Sequence, residues 1–187
     1  MDPMEKLTHT AQMHPIDPSL AFQLGNSAFN SRKLDEAISY YQLALKAAPQ
    51  VVEVYNNLAT ALKENSDLNT AIQIARSGLL IRNDFPPLHN TLGSCLARTK
   101  NLKAAEWHYK KALELKPEFI EATINLAYIY NKLGHQAEAR RILLSAVKDN
   151  PNNIELLVTL GMTLKNRAEK QKYLHMALKI SPGHLQA

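Results

Sequence analysis

Apolar residues recur along this chain in short blocks at helical spacing, and clusters of polar residues separate the blocks. In one block Tyr55, Leu58, Ala59 and Leu62 form the stripe of an amphipathic helix; in another Ala105, Tyr109, Ala112 and Leu113 do the same. Between such blocks lie Asn65-Ser66-Asp67 and Lys100-Asn101. Asp67 and Asn101 are suited to accept hydrogen bonds from the free N–H groups at the start of the next helix. Gly134 stands in the corresponding turn further on and suits a helix stop. The pattern predicts helix pairs joined by tight polar turns.

The pairs repeat. Leu24-Gly25, Leu58-Ala59, Leu92-Gly93, Leu126-Ala127 and Leu160-Gly161 are spaced by 34 residues throughout. With units counted from Pro18, Val52, Pro86, Ile120 and Ile154, other columns align. The twentieth place holds Ala37, Ala71, Ala105 and Ala139; the twenty-seventh holds Ala44, Gly78, Ala112 and Ala146; the thirty-second holds Pro49, Asn83, Pro117 and Pro151. Small residues let two helices approach, and Leu at the seventh place with Tyr41, Tyr109 or Leu143 at the twenty-fourth fills the space beside them. The proline near the end of a unit is expected to terminate the second helix. Asn83 replaces it in the second unit, with Pro86 and Pro87 displaced downstream, so the connection there is expected to differ. The fifth unit reaches Ala177 and Pro182 three residues early, which implies either a shortened turn near Arg167-Ala168-Glu169 or a truncated helix.

In these columns the chain closely resembles the tetratricopeptide repeat family, whose unit is a 34-residue helix–turn–helix. The third unit conforms best, through Leu92, Gly93, Leu96, Ala105, Tyr109, Ala112 and Pro117. The resemblance implies an all-α fold, a right-handed α-solenoid of helix pairs with a concave groove. It divides the chain into residues 1–17 and a single domain, 18–187, of five repeats: 18–51, 52–85, 86–119, 120–153 and 154–184. Leu7, Ala11, Met13 and Pro15 fall in second-helix columns, so the leader is either a half-repeat helix or a disordered stretch.

By the same resemblance the first helices line the groove and carry the partner-binding residues. Those selected are Phe22, Asn26, Asn56, Asn57, Asn90, Ser94, Asn125, Tyr128 and Lys132. Further groove positions are Gln23, Asn30, Thr60, Thr91, Thr159 and Met162. An amide side chain both donates and accepts, so a row of them pairs with the backbone of an extended peptide whatever its side chains. The alternative is that asparagine is merely tolerated on a solvated helix face. Asn57 and Asn125 resemble the asparagine ladder in the repeat region of O-linked N-acetylglucosamine transferases, interrupted here by Gln23, Thr91 and Thr159. A second comparison fails: modules that clamp acidic chaperone tails need Lys and Arg where this chain has Phe22, Pro87 and Thr91, and a terminal carboxylate would lack a charge-assisted partner.

Composition narrows the rest. The chain has 187 residues, 45% hydrophobic and 21% charged, with 22 basic against 17 acidic side chains for a net charge of +5. This is ordinary globular material. No run approaches the ~18 apolar residues of a membrane helix, and the opening stretch lacks the apolar core of a secretory signal. A cytoplasmic protein with no membrane insertion is expected. The positive charge is spread thinly, as in the Arg32-Lys33, Lys110-Lys111 and Arg140-Arg141 doublets, which argues against nucleic acid. One cysteine, Cys95, excludes an internal disulfide and reads as a small core residue. His9, His14, His89, His108, His135, His175 and His184 include no pair at i, i+4, so no metal site is expected. His89 sits in a packing column and His135 in a turn column. With no phosphate loop or nucleophile elbow, no catalytic residue and no cofactor are expected.

Trp107 shares its column with Ser39, Gln73 and Arg141, so it is expected on the convex face, as a contact residue or lying along the next helix. The function expected is a non-enzymatic scaffold that binds a partner protein or extended peptide in the groove. Two alternatives remain: the substrate-recruiting segment of a larger enzyme such as a glycosyltransferase, with its catalytic domain beyond Ala187, and a chaperone or assembly factor. The last helix, with Leu174, Ala177, Leu178 and Ile180, has no polar helix after it, which suggests either that larger protein or self-association through this helix.

Overall fold

The computed structural model describes residues 17–181. The leader, with His9, His14 and Pro15, lies outside them, as do Pro182 and His184. Within the described residues the chain is all-α, with ten helices that follow one another in five sequence-consecutive pairs: α1 (Pro18–Asn30) and α2 (Leu34–Ala47), α3 (Val52–Glu64) and α4 (Leu68–Ile81), α5 (Pro86–Arg98) and α6 (Leu102–Leu115), α7 (Ile120–Lys132) and α8 (Gln136–Asp149), α9 (Ile154–Thr163) and α10 (Arg167–Ile180). The chain divides into two compact units, Met1–Cys95 and Leu96–Ala187.

The first four pairs are closed by the same turn. The N–H groups of Lys33, Asp67, Asn101 and His135 reach back to the carbonyls of Ala28, Leu62, Leu96 and Tyr130 at 2.8–2.9 Å. This wrap requires a left-handed residue just before each of them, and the column is Arg32 (φ 61°), Ser66 (φ 66°), Lys100 (φ 64°) and Gly134 (φ 83°). Gly134 adopts that φ without a Cβ penalty; the other three bear it. Side-chain caps complete the turns where the residue allows. Asp67 accepts from the Thr70 N–H at 3.2 Å and Asn101 from the Ala104 N–H at 3.4 Å, whereas Lys33 and His135 form no such bond.

The second helices stop at the same length with or without the proline. α2, α4, α6 and α8 are all 14 residues long, although α4 is followed by Asn83. In each, the capping N–H bonds to the small residue of the twenty-seventh column: Ala48 to Ala44, Arg82 to Gly78, Lys116 to Ala112 and Asn150 to Ala146. The fifth pair resolves the earlier alternative in favour of a truncated helix. α9 has 10 residues where α1, α3, α5 and α7 have 13, and Arg167–Glu169 form the first turn of α10, capped by Asn166.

The core of the first unit is built from Ala21, Ala28, Ala37, Tyr41, Ala44, Leu58, Leu62 and Ala71, with Cys95 fully buried among them. That of the second collects Ala105, Tyr109, Ala112, Leu126, Leu143, Leu157 and Leu160, all 3% exposed or less. Each buried leucine contributes about 1.5–3 kcal/mol by leaving water. Leu24 departs from its column at 38% exposure. Its counterpart Leu58 lies beside Leu45 of the preceding pair, and for α1 no preceding helix exists among the described residues.

Candidate functional site

In the first unit the groove-side residues of α1 and α3 form one hydrogen-bonded network. The Asn26 side-chain oxygen accepts from the Tyr41 hydroxyl at 2.8 Å and from the Asn57 amide at 2.9 Å. The Asn57 oxygen in turn accepts from Asn56 at 3.3 Å, and the Asn56 oxygen from the Thr91 hydroxyl at 2.9 Å. Thr60 donates to the Asn56 carbonyl at 2.8 Å. Burial pushes the Tyr41 hydroxyl above the usual phenol range, and the Asn57 amide opposes that in part.

The network borders a cleft of about 370 Å³ lined by Asn26, Phe29, Asn30, Tyr41, Asn57 and Thr60. Its chemistry follows from counting. Both lone pairs of the Asn26 oxygen are taken, so its two amide hydrogens are left for a ligand, and Asn30 is exposed with its whole amide available. Asn57 offers an oxygen lone pair. The cleft can therefore donate and accept alternately, which is what an extended backbone presents. Phe29 and the Tyr41 ring supply an apolar wall.

The remaining sequence-selected residues fall in different places. Phe22 is half-buried and its ring centre lies 5.9 Å from that of Tyr41, beside the network. Asn90 was expected on the solvated face but is 3% exposed, and Thr91 is 6% exposed. The reason for Thr91 is its bond to Asn56, which draws α5 onto α3. Ser94 is half-buried. In the second unit Tyr128 is 54% exposed with the Lys132 ammonium 5.2 Å from its ring centre, and Asn125 is half-buried beside them in sequence. Met162 stands at the same repeat position as Tyr128, one unit on, and is 71% exposed. The cleft residues Phe29 and Tyr41 were not selected from sequence. Phe29 lies one turn along α1 from Asn26, a helical neighbour that the column reasoning did not weigh; Tyr41 reads as core, and its ring is core while its hydroxyl serves the site.

Two histidines make local contacts within the repeats. His89 is 4% exposed and its Nε2 lies 2.9 Å from the Asn83 carbonyl. His135 is exposed at the start of α8, its ring 6.0 Å from that of Tyr130. No helix among the described residues is long and apolar enough to cross a membrane.

Helix pairs at a 34-residue period, four of them closed by one turn, define a helical repeat module. The chain belongs to the tetratricopeptide repeat family: family models for that repeat match residues 18–51, 40–73 and 96–160. Among curated proteins it is 35% identical over 120 residues to the peroxisomal targeting signal receptor of Kluyveromyces lactis, covering 64% of this chain and 21% of that protein. It is 28% identical over 174 residues to a human protein O-mannosyl-transferase, covering 84% of this chain and 19% of that one. The chain thus spans about a fifth of the length of these relatives. Among solved structures, the first repeat domain of Spaghetti bound to an HSP90 peptide superposes with TM-score 0.61 at 25% identity, over 63% of this chain and 93% of that one. A thermophilic repeat protein of Thermus thermophilus shares the fold at TM-score 0.77 and 18% identity, over 91% of this chain and 94% of that one.

Proposed function

We propose that the chain is a protein-interaction module that takes an extended peptide of a partner protein on the first-helix face, with the Asn26–Asn57 cleft as its centre. The observation that carries this reading is that the amides hold one another in place while keeping donors and acceptors toward the cleft, so little ordering entropy is lost on binding. The likeness to a repeat domain that holds a peptide supports it. The ligand differs in kind from an acidic chaperone tail, because Phe22 packed on Tyr41 replaces a cation there. Tyr128, Lys132 and Met162 form the corresponding recognition face of the second unit, apolar with a basic edge. On this reading the module performs no chemistry of its own.

A second reading is favoured by the match to the O-mannosyl-transferase: the repeats recruit substrate for a larger enzyme. Both readings require peptide binding and share one test. Extended peptides are selected from a random library on the purified chain, and their affinities are measured by calorimetry. Asn30→Ala with Asn57→Ala should weaken the selected peptides about tenfold, a loss of about 1.4 kcal/mol, while Ser39→Ala on the opposite side leaves them unchanged. Equal affinity for the doubly substituted chain overturns the cleft as the binding site.

A further inference from the structure

We propose that a cleft around Trp107, on the second-helix side of the second unit, is a separate docking site for an acidic peptide segment that carries an apolar side chain. Trp107 is 57% exposed, at a position where other repeats place Ser39, Gln73 and Arg141. It stands at the wall of a cleft of about 470 Å³, which Leu133 closes with a second apolar surface from the turn after α7. That volume suits an inserted side chain, whereas a lipid surface would call for a flat, densely basic patch.

The charge around the cleft selects the partner. Lys103 and Lys110 flank Trp107 on α6 at one-turn spacing, and the His135 ring lies across from them. Among the described lining residues the one carboxylate, Glu106, is paired with Lys110. Among the described residues the Lys103 ammonium has no ion-pair partner, so the net charge lining the cleft is positive and an anion would find a ready partner. The wall is also held in place. Trp107 meets the His108 ring edge-on with centroids 4.8 Å apart, and the Lys110 ammonium lies 5.5 Å from the centre of the Tyr130 ring. The bond to Glu106 keeps that ammonium protonated beyond the usual lysine range. An apolar side chain set between Trp107 and Leu133 would bring flanking carboxylates to Lys103.

Trp107 is the chain's single tryptophan, so its fluorescence reports the site directly. The probe is an acetylated, amidated pentapeptide with leucine at its centre and two aspartates on each side, titrated into the full chain at low salt to about 5 mM. Emission should change saturably, and Lys103→Glu should weaken binding at least about tenfold with circular dichroism unchanged. Leu133→Ala should weaken it about threefold or more, whereas Asn30→Ala with Asn57→Ala, which disables the other cleft, should leave it intact. The proposal is overturned if the lysine-for-aspartate peptide gives the same response, if Lys103→Glu has no effect, or if no saturable change occurs. A stronger response to phosphatidylserine vesicles than to the peptide likewise overturns it, in favour of a lipid surface.

Discussion

At the scale of single residues, Gly25 and Tyr41 show how closely the repeat is fitted. A Cβ on Gly25 would lie 2.5 Å from Tyr41 Cε1 and 2.6 Å from Cδ1, inside any tolerable contact. Gly25→Ala should therefore destabilise the chain by about 1–3 kcal/mol, read from urea unfolding, because the ring is wedged and also bonded to Asn26. Tyr41→Phe keeps the packing and loses the hydrogen bond, at about 1 kcal/mol. It should also alter the pH dependence. The folded phenol titrates above its unfolded value of 10.0, so its contribution is complete below pH 10 and is lost as pH rises through the folded pKa. The wild type should lose stability in that alkaline window more steeply than Tyr41→Phe; parallel curves would show that the hydroxyl titrates alike in both states.

At the scale of elements, the turns offer the clearest control because one geometry is met by four different residues. Arg32, Ser66 and Lys100 hold φ between 61° and 66°, and glycine there should raise stability by about 0.5–1 kcal/mol each. Gly134→Ala, though nothing stands within 4 Å of the added carbon, should lower it by about 1 kcal/mol from backbone strain alone. Scanning calorimetry decides between this account and a steric one, since sterics predict no loss at Gly134. The caps make a second series. Asp67→Ala should cost about 1 kcal/mol, and Lys33→Asp should gain a similar amount despite losing the exposed pair with Glu36, which is worth little. Denaturant midpoints that leave both variants at wild type would remove capping from the explanation.

At the scale of the whole molecule, a repeat array distributes stability through neighbouring helices, because each pair packs mainly on the next. In the first unit α2 packs on α3 as well as on α1; in the second α8 packs on α9 as well as on α7. Damage should therefore stay local. Gly25→Ala is expected to speed hydrogen exchange most in α1 and α2 and to leave α9 and α10 at wild-type rates, as measured by mass spectrometry of peptic fragments. Uniform acceleration along the chain would mean that it unfolds as one cooperative block.

The sequence by itself determined the helices, their phase and their pairing, because a 34-residue period forces the same small and large residues into the same contacts each time. Ala37, Ala71, Ala105 and Ala139, each fully buried, were legible as close approaches. So were the caps Asp67 and Asn101, the stop at Gly134, buried Cys95 and exposed Trp107. The first-helix asparagines were legible in the repeat columns, but their individual contacts were not. Which amide is tied up, which is buried and which stays available depends on partners 15 to 35 residues away, as in Tyr41–Asn26, Asn57–Asn26 and Thr91–Asn56. A column records a side chain's direction from its helix, and it says nothing of what the next helix brings opposite. Tertiary packing alone decided that Asn90 is withdrawn from solvent, that Tyr41 lends its hydroxyl to a cleft, and that Trp107, Leu133 and Lys103 surround a second one.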